Sequence, residues 1–182
     1  MLKPDFNPFP EVKTNRLLLR RVTLEDVSEI LYLRSNKETM QYIDREFTTT
    51  PDEAATFIQQ IDESITNNDS ILWGIVLSEE PSKLIGTIGI WRIIKEHYRA
   101  EIGYMLHPGF WRKGIMKEAL LATLEYGFNT LMLHSIEARI NPLNKSSEAL
   151  LISTGFIKEA YFKEDYFFRG KFGDTAVYSK LK

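Results

Sequence analysis

Residues 100–126, AEIGYMLHPGFWRKGIMKEALLATLEY, constrain the fold more than any other part of the chain. They predict a β-strand, a short loop and an amphipathic helix in that order. The first amides of a helix have no partners within it, so this arrangement can hold an anionic group. One acid, Glu101, lies on the otherwise apolar strand. A phosphate cradle beside a lone carboxylate indicates a nucleotide-like cofactor that serves proton-transfer chemistry.

Composition limits the classes of protein to which the chain can belong. Its 182 residues are 43% hydrophobic and 26% charged, a balance that fits one globular domain. The absence of cysteine excludes disulfides and thiolate chemistry, and His97, His107 and His134 show no metal-ligand spacing, so we expect no metal site. The net charge of −2 and the lack of a long apolar run lead us to expect a cytoplasmic protein without nucleic-acid or membrane partners.

Hydrophobic periodicity predicts one α/β domain built on a mixed sheet. Prolines at positions 4, 8 and 10 predict an irregular lead-in over residues 1–13. Helices are predicted after Thr23 and after Thr50, over residues 115–128, and over residues 146–153, with Gly155 in a left-handed cap. The predicted strands cover residues 16–22, 71–77, 84–91, 99–106, 135–140, 157–162 and 175–181.

The loop at residues 107–117, HPGFWRKGIMK, is a candidate phosphate-binding turn. Gly114 has no Cβ, so a ligand can approach its backbone closely. The amides of residues 112–117 open the following helix, and Arg112, Lys113 and Lys117 would add positive charge. A surface turn with solvated basic residues is the alternative, because neither the P-loop nor the Rossmann pattern is present.

A second polar turn, NPLNKSSEALLISTGF, covers residues 141–156. Asn141 and Asn144 lie between a predicted strand and a predicted helix, where asparagine commonly caps the helix. Two asparagines and two serines in one turn could also hydrogen-bond a ligand that carries amide groups. This turn alone leaves both interpretations open.

Taken together, the two stretches resemble the GCN5-related N-acetyltransferase (GNAT) superfamily, which uses acetyl-CoA. The family's cofactor loop, (Q/R)-x-x-G-x-(G/A), corresponds to Trp111, Gly114 and Met116. Trp111 and Met116 depart from that pattern and resemble the ribosomal-protein alanine N-acetyltransferase (RimJ/RimL-type) branch, W-G-K-G-I/Y-A/M-x-E-A, with Arg112 in place of a glycine. TNRLLLRRVTLEDV at residues 14–27, AEIGYML and TGF also resemble that branch.

The resemblance implies a single N-acetyltransferase domain over residues 1–182, with a mixed, mostly antiparallel sheet that contains a splayed parallel strand pair. It implies that the pantetheine arm of the cofactor inserts between those strands. The residues that the resemblance assigns to the cofactor are Tyr104, Met105, Leu106, Trp111, Arg112, Lys113, Gly114, Ile115, Met116, Lys117, Asn144 and Ser147.

Two residues are candidates for catalysis. Glu101 could take a proton from the amine directly or through water, since burial of a carboxylate favours proton uptake. Its alternative role is an ion pair with Arg99 or Arg92. The family's thiolate-donating tyrosine is missing, because Leu151 and Ile152 occupy its positions. The resemblance makes Ser147 the substitute donor, although Ser147 could equally cap the helix.

Physical chemistry favours one class of acceptor. At about pH 7, deprotonation costs about 1.4 kcal/mol for an α-amine and about 4.6 kcal/mol for a lysine amine. A site whose one candidate base is Glu101 therefore suits an α-amine, such as a ribosomal or other protein N-terminus. Acetylation of an amino acid, polyamine or aminoglycoside, or a catalytically weak CoA-binding module, are the alternatives. Tyr42 and Trp91 are candidate acceptor walls, as are the aromatics of residues 161–168, and the chain is expected to be a monomer or a homodimer.

Overall fold

Eight strands form one sheet in a computed structural model that describes Met1–Lys182. The sheet order is β1-β2-β3-β4-β5-β6-β8-β7, and every neighbouring pair is antiparallel except β5 and β6. The strands are β1 Val12–Lys13, β2 Leu17–Arg21, β3 Ile71–Leu77, β4 Glu80–Ile94, β5 Arg99–Leu106, β6 Ser135–Ile140, β7 Ile157–Phe168 and β8 Lys171–Leu181. The helices are α1 Val27–Ser35, α2 Pro51–Thr66, α3 Ile115–Asn129 and α4 Lys145–Ser153.

Helices cover both faces of the sheet. Successive residues of a strand point to opposite faces, so one strand can supply apolar side chains to a core on each face. The larger apolar core holds α3 and α4 against the sheet through residues such as Leu120, Leu124 and Leu151. The smaller core lies beneath α1 and α2, around Leu33 and Ile58. The predicted α/β class with one parallel strand pair is confirmed. None of the helices is long and apolar enough to cross a lipid bilayer.

Local sequence signals placed several boundaries correctly. Strands β3, β5 and β6 have the predicted bounds, and α2 begins as expected, with the Thr50 hydroxyl accepting a hydrogen bond from the Glu53 amide at 3.2 Å. Gly155 ends α4 in the left-handed conformation, with φ +89°. These features depend on residues close in sequence, which is why the sequence alone identifies them.

Other boundaries were wrong. The lead-in predicted as irregular over residues 1–13 ends in β1, because the prolines stop at position 10 and leave Val12–Lys13 free to pair with β2. Strands β4, β7 and β8 are longer than predicted. In β7 the run Lys163, Glu164, Asp165 interrupts the apolar pattern, but β7 forms the sheet edge and is exposed along much of its length. An exposed strand needs no apolar alternation to remain paired.

The parallel pair β5–β6 separates soon after it begins. Only three residue pairs join the strands, Arg99 with Ser135, Ala100 with Ile136, and Glu101 with Glu137. Beyond them β6 pairs only with β8, and residues 102–106 of β5 pair only with β4. We call the unpaired side of residues 102–106 the open edge. It lies directly beyond Glu101 in the chain.

Candidate cofactor and active site

The open edge presents backbone groups of alternate residues. The His107 amide donates to the Ile85 carbonyl of β4 at 2.8 Å, so by strand alternation Met105 also faces β4. Tyr104 and Leu106 therefore direct their backbone groups toward the separated β6. The Leu106 carbonyl accepts a hydrogen bond from the Trp111 indole at 2.7 Å. Three strand residues were predicted to contact the cofactor through their backbone. One of them, Met105, has its backbone N–H and C=O groups turned toward β4 and away from the open edge.

The loop after β5 ends in a helix N-terminus that has free amides. Gly114 is the N-cap of α3, with φ +73°, and Arg112 takes a left-handed φ of +59°. Arg112 therefore adopts the conformation that the glycine of the related loop pattern would favour. The amides of Gly114, Ile115, Met116 and Lys117 have no partners within the helix. The side chains of Arg112, Lys113 and Lys117 are exposed around them.

A network that the sequence analysis missed holds this loop against β2. Arg16 donates to the Lys113 carbonyl at 3.0 Å and through Nε to the Glu118 carboxylate at 2.7 Å. Glu118 also accepts the Thr14 hydroxyl at 2.6 Å and the Arg16 amide at 2.9 Å. Burial opposes ionisation of Glu118, yet these hydrogen bonds hold its pKa below the ordinary value. The glutamate in the related loop pattern W-G-K-G-I/Y-A/M-x-E-A was the available signal for this network.

The turn before α4 faces the open edge. The Asn144 side chain accepts from the Ser147 amide at 3.0 Å, so Asn144 caps α4. Ser147 is not the cap. The residue is 6% exposed, and its hydroxyl lies 2.7 Å from the Tyr104 hydroxyl. The structure therefore joins two residues that the sequence placed on separate elements.

Glu101 lies at the point where β5 and β6 separate. Its side chain is 9% exposed, and Oε2 accepts a hydrogen bond from Arg92 at 2.8 Å. Arg92 is thus the ion-pair partner, whereas Arg99 pairs with Glu137. No side chain or backbone group of the protein donates to Oε1. One carboxylate oxygen is therefore free to accept a hydrogen bond from a bound molecule.

The two predicted acceptor residues occupy different places. Trp91 lies opposite Glu101 on β4, and its ring covers Gly103, where a Cβ atom would come within 2.1 Å of it. Tyr42 lies between α1 and α2, two residues before Asp44. Asp44 lines a cavity of about 500 Å³ that contains neither Tyr42, Trp91, Glu101 nor Ser147. The other residues lining that cavity are Asn141, Pro142, Leu143, Tyr161, Tyr166, Phe168, Arg169, Lys171, Phe172, Gly173 and Asp174.

These groups fit acetyl-CoA chemically. The free amides at the start of α3 suit a pyrophosphate, with Arg112, Lys113 and Lys117 close by. The open edge offers backbone donors and acceptors to an arm that carries amide groups. Gly114 has no side chain that could cover the helix amides, and its φ of +73° is one that glycine adopts without strain.

Gly114→Ala should therefore weaken CoA binding. Alanine at a φ of +73° costs about 1–2 kcal/mol, and relaxation of the loop would move the amides, so we expect an affinity loss of roughly tenfold by calorimetric titration. Gly170→Ala is the matched control, because Gly170 also has a positive φ, +79°, but lies in the β7–β8 turn. Equal affinity losses in both variants would contradict the assignment.

Comparisons with known proteins point to one family. Residues 16–157 match the acetyltransferase (GNAT) domain family. The chain is 36% identical to the uncharacterized N-acetyltransferase YoaA of Bacillus subtilis, across 96% of this chain and 98% of that one. It is 31% identical to the ribosomal protein uS5-alanine N-acetyltransferase of Escherichia coli, across 54% of this chain and 51% of that one. A GNAT-family acetyltransferase structure from Bacillus anthracis superposes with a TM-score of 0.82 at 28% identity, covering 94% of this chain and 98% of that one.

Proposed function

The chain belongs to the GNAT acetyltransferase family and is an N-acetyltransferase that uses acetyl-CoA, and on that premise we propose that its acceptor is the α-amine of a peptide or protein N-terminus. The observation that carries the proposal is Glu101, a buried carboxylate beside the open edge with Oε1 unengaged. A single carboxylate is a modest base. It therefore matches an amine that loses its proton easily.

The free energies of deprotonation support this choice. At about pH 7 an α-amine requires about 1.4 kcal/mol to become neutral, against about 4.6 kcal/mol for a lysine-type amine. The difference of about 3.2 kcal/mol corresponds to roughly 200-fold in the neutral fraction. The similarity of half the chain to an enzyme that acetylates the alanine of a ribosomal protein agrees with an α-amine acceptor.

In this proposal each residue of the site has a defined task. The α3 amides and the backbone of Tyr104 and Leu106 hold the cofactor, which supplies an activated acetyl thioester when bound. Glu101 takes a proton from the ammonium form of the acceptor, directly or through water. Ser147 donates a hydrogen bond where negative charge develops on sulfur. In the net reaction the acetyl group moves from sulfur to nitrogen, and the ammonium nitrogen loses two protons: Glu101 passes one of them to solvent, and the other is balanced by the proton that the thiol product carries.

The acceptor side is proposed on the face that carries Glu101. Trp91 lies directly across from Glu101 and would form one wall of the acceptor site, and we assign a second wall to Tyr42, on the segment between α1 and α2. The cavity of about 500 Å³ lies between that segment, the 141–143 turn and the β7–β8 hairpin. It has room for residues that follow an acceptor N-terminus. Its lining carries two carboxylates, Asp44 and Asp174, and two cations, Arg169 and Lys171, so its formal charge is balanced.

Thiol release from acetyl-CoA tests the proposal. Short peptides that begin with alanine or serine should support turnover, whereas the same peptides with a blocked N-terminus and an internal lysine should not. Turnover confined to spermidine or an aminoglycoside would replace the proposal by small-molecule acetylation. CoA binding measured by calorimetry without turnover on any amine would indicate a binding module.

A further inference from the structure

One side-chain hydrogen bond connects β5 to α4 across the open edge. It joins the hydroxyls of Tyr104 and Ser147 at 2.7 Å, and these residues are 43 positions apart in the chain. Ser147 has no second side-chain partner, since Asn144 accepts only from its backbone amide. The site is desolvated, with Ser147 6% exposed. A buried hydroxyl that has one partner can still direct its remaining hydrogen-bonding capacity into the open edge.

The direction of this hydrogen bond follows from acidity. Burial raises the pKa of Tyr104 to about 12, although the hydrogen bond with Ser147 acts in the opposite direction. The phenol therefore keeps its proton at neutral pH. A phenol is also a stronger acid than an aliphatic alcohol, so Tyr104 is the better donor of the two. When Tyr104 donates to Ser147, the proton of Ser147 must point elsewhere.

Building on the proposed function, we propose that Tyr104 is a positioning residue that directs the Ser147 hydroxyl proton toward the sulfur of the bound cofactor. Ser147 is the residue that touches the reacting atoms, and Tyr104 acts through it. The Tyr104 hydroxyl donates a hydrogen bond to the Ser147 oxygen. The O–H of Ser147 is therefore left to donate to another acceptor. The pair connects a strand to a helix at the place where strand pairing has ended.

The pair stabilises a thiolate by hydrogen bonding and does not protonate it. An ordinary thiol has a pKa of about 8.5, well below the value of about 12 for Tyr104, so a proton would not pass from the phenol to the thiolate. Both hydroxyls therefore retain their protons. A hydrogen bond to a charged acceptor is about twice as strong as a neutral one, so its effect grows as charge develops on the sulfur.

The most direct test titrates the thiol of bound CoA and needs no acceptor. Thiolate absorbance in the ultraviolet should give a lower ionisation midpoint for CoA bound to the unaltered protein than for free CoA. Tyr104→Phe should raise that midpoint by roughly half to one pH unit, and Ser147→Ala by more. Tyr126→Phe is the matched control, because Tyr126 is another desolvated tyrosine with a pKa of about 12 whose hydroxyl makes no hydrogen bond.

Steady-state kinetics with a productive acceptor supply the second readout. Tyr104→Phe should lower kcat roughly tenfold with little change in KM for acetyl-CoA, and this loss should disappear when Ser147 is already alanine. An unchanged midpoint, a full loss of kcat that persists in the Ser147→Ala background, or a loss of CoA affinity alone would overturn the proposal. The thiol titration stays valid if the acceptor proves not to be an α-amine, so failure of the two proposals can be distinguished.

Discussion

Glu101→Gln should lower kcat by about 100-fold or more at about pH 7, because general base catalysis contributes typically 10²–10⁴-fold. Glutamine keeps the size of the side chain and can still accept from Arg92, but its amide takes no proton. The loss should shrink by up to about tenfold near pH 9, because the neutral fraction of an α-amine with a pKa of about 8 rises by about that factor between pH 7 and pH 9. The measurement is a pH–rate profile for both proteins with a saturating peptide acceptor.

Arg92→Gln separates the role of base from that of ion-pair partner. The Arg92 side chain is 67% exposed and that of Glu101 9%, so Arg92→Gln removes the cation paired with a largely buried carboxylate but leaves the carboxylate itself in place. We expect it to reduce kcat far less than Glu101→Gln. Equal losses in the two variants, with the same pH dependence, would mean that Glu101 serves the fold through its ion pair. An unaltered pH profile in Glu101→Gln would also exclude Glu101 as the base.

The local backbone geometry of the proposed cofactor side could be predicted from the sequence, because it depends on residues that are close together in the chain. Gly114 at the start of α3 and the β5 strand are local features, and both have the predicted position. The amides of a helix N-terminus point along its axis whatever the side chains are. A motif of one glycine and its neighbours was therefore sufficient. The sequence did not indicate that the backbone groups of Met105 face β4, because this orientation depends on the register between β4 and β5.

Side-chain partnerships were harder to predict, because they depend on irregular backbone. Trp91 faces Glu101 across β4 and β5, so regular alternation would turn Arg92 to the other face of the sheet. A bulge follows Trp91, and Arg92 takes a φ of +49°, which lets its guanidinium reach Glu101. The Tyr104–Ser147 contact depends in turn on how far β6 and α4 diverge from β5. Neither the bulge after Trp91 nor the divergence of β6 and α4 from β5 can be predicted from the spacing of residues in the sequence.

Asp26→Ala should lower the free energy of unfolding by about 3–5 kcal/mol, the range for breaking a buried ion pair. The Asp26 side chain is 2% exposed and accepts two hydrogen bonds from Arg20, at 2.7 and 2.9 Å, and one from the Thr23 amide at 2.8 Å. The hydrogen bond to Asp26 raises the pKa of Arg20 above its ordinary value. Alanine would leave a largely buried guanidinium and the amide that opens the first helical turn without partners.

Asp62→Ala provides the matched comparison, since the Arg21–Asp62 pair is equally short, at 2.6 Å, but its side chains are 40% and 48% exposed. Its cost should stay below about 1 kcal/mol, because water solvates both charges once they separate. The measurement for both is urea unfolding followed by circular dichroism. The double variant Arg20→Met/Asp26→Leu should recover much of the loss, because it removes both charges and leaves neither buried alone. If Asp26→Ala and Asp62→Ala cost the same, burial does not control the strength of the Asp26 pair.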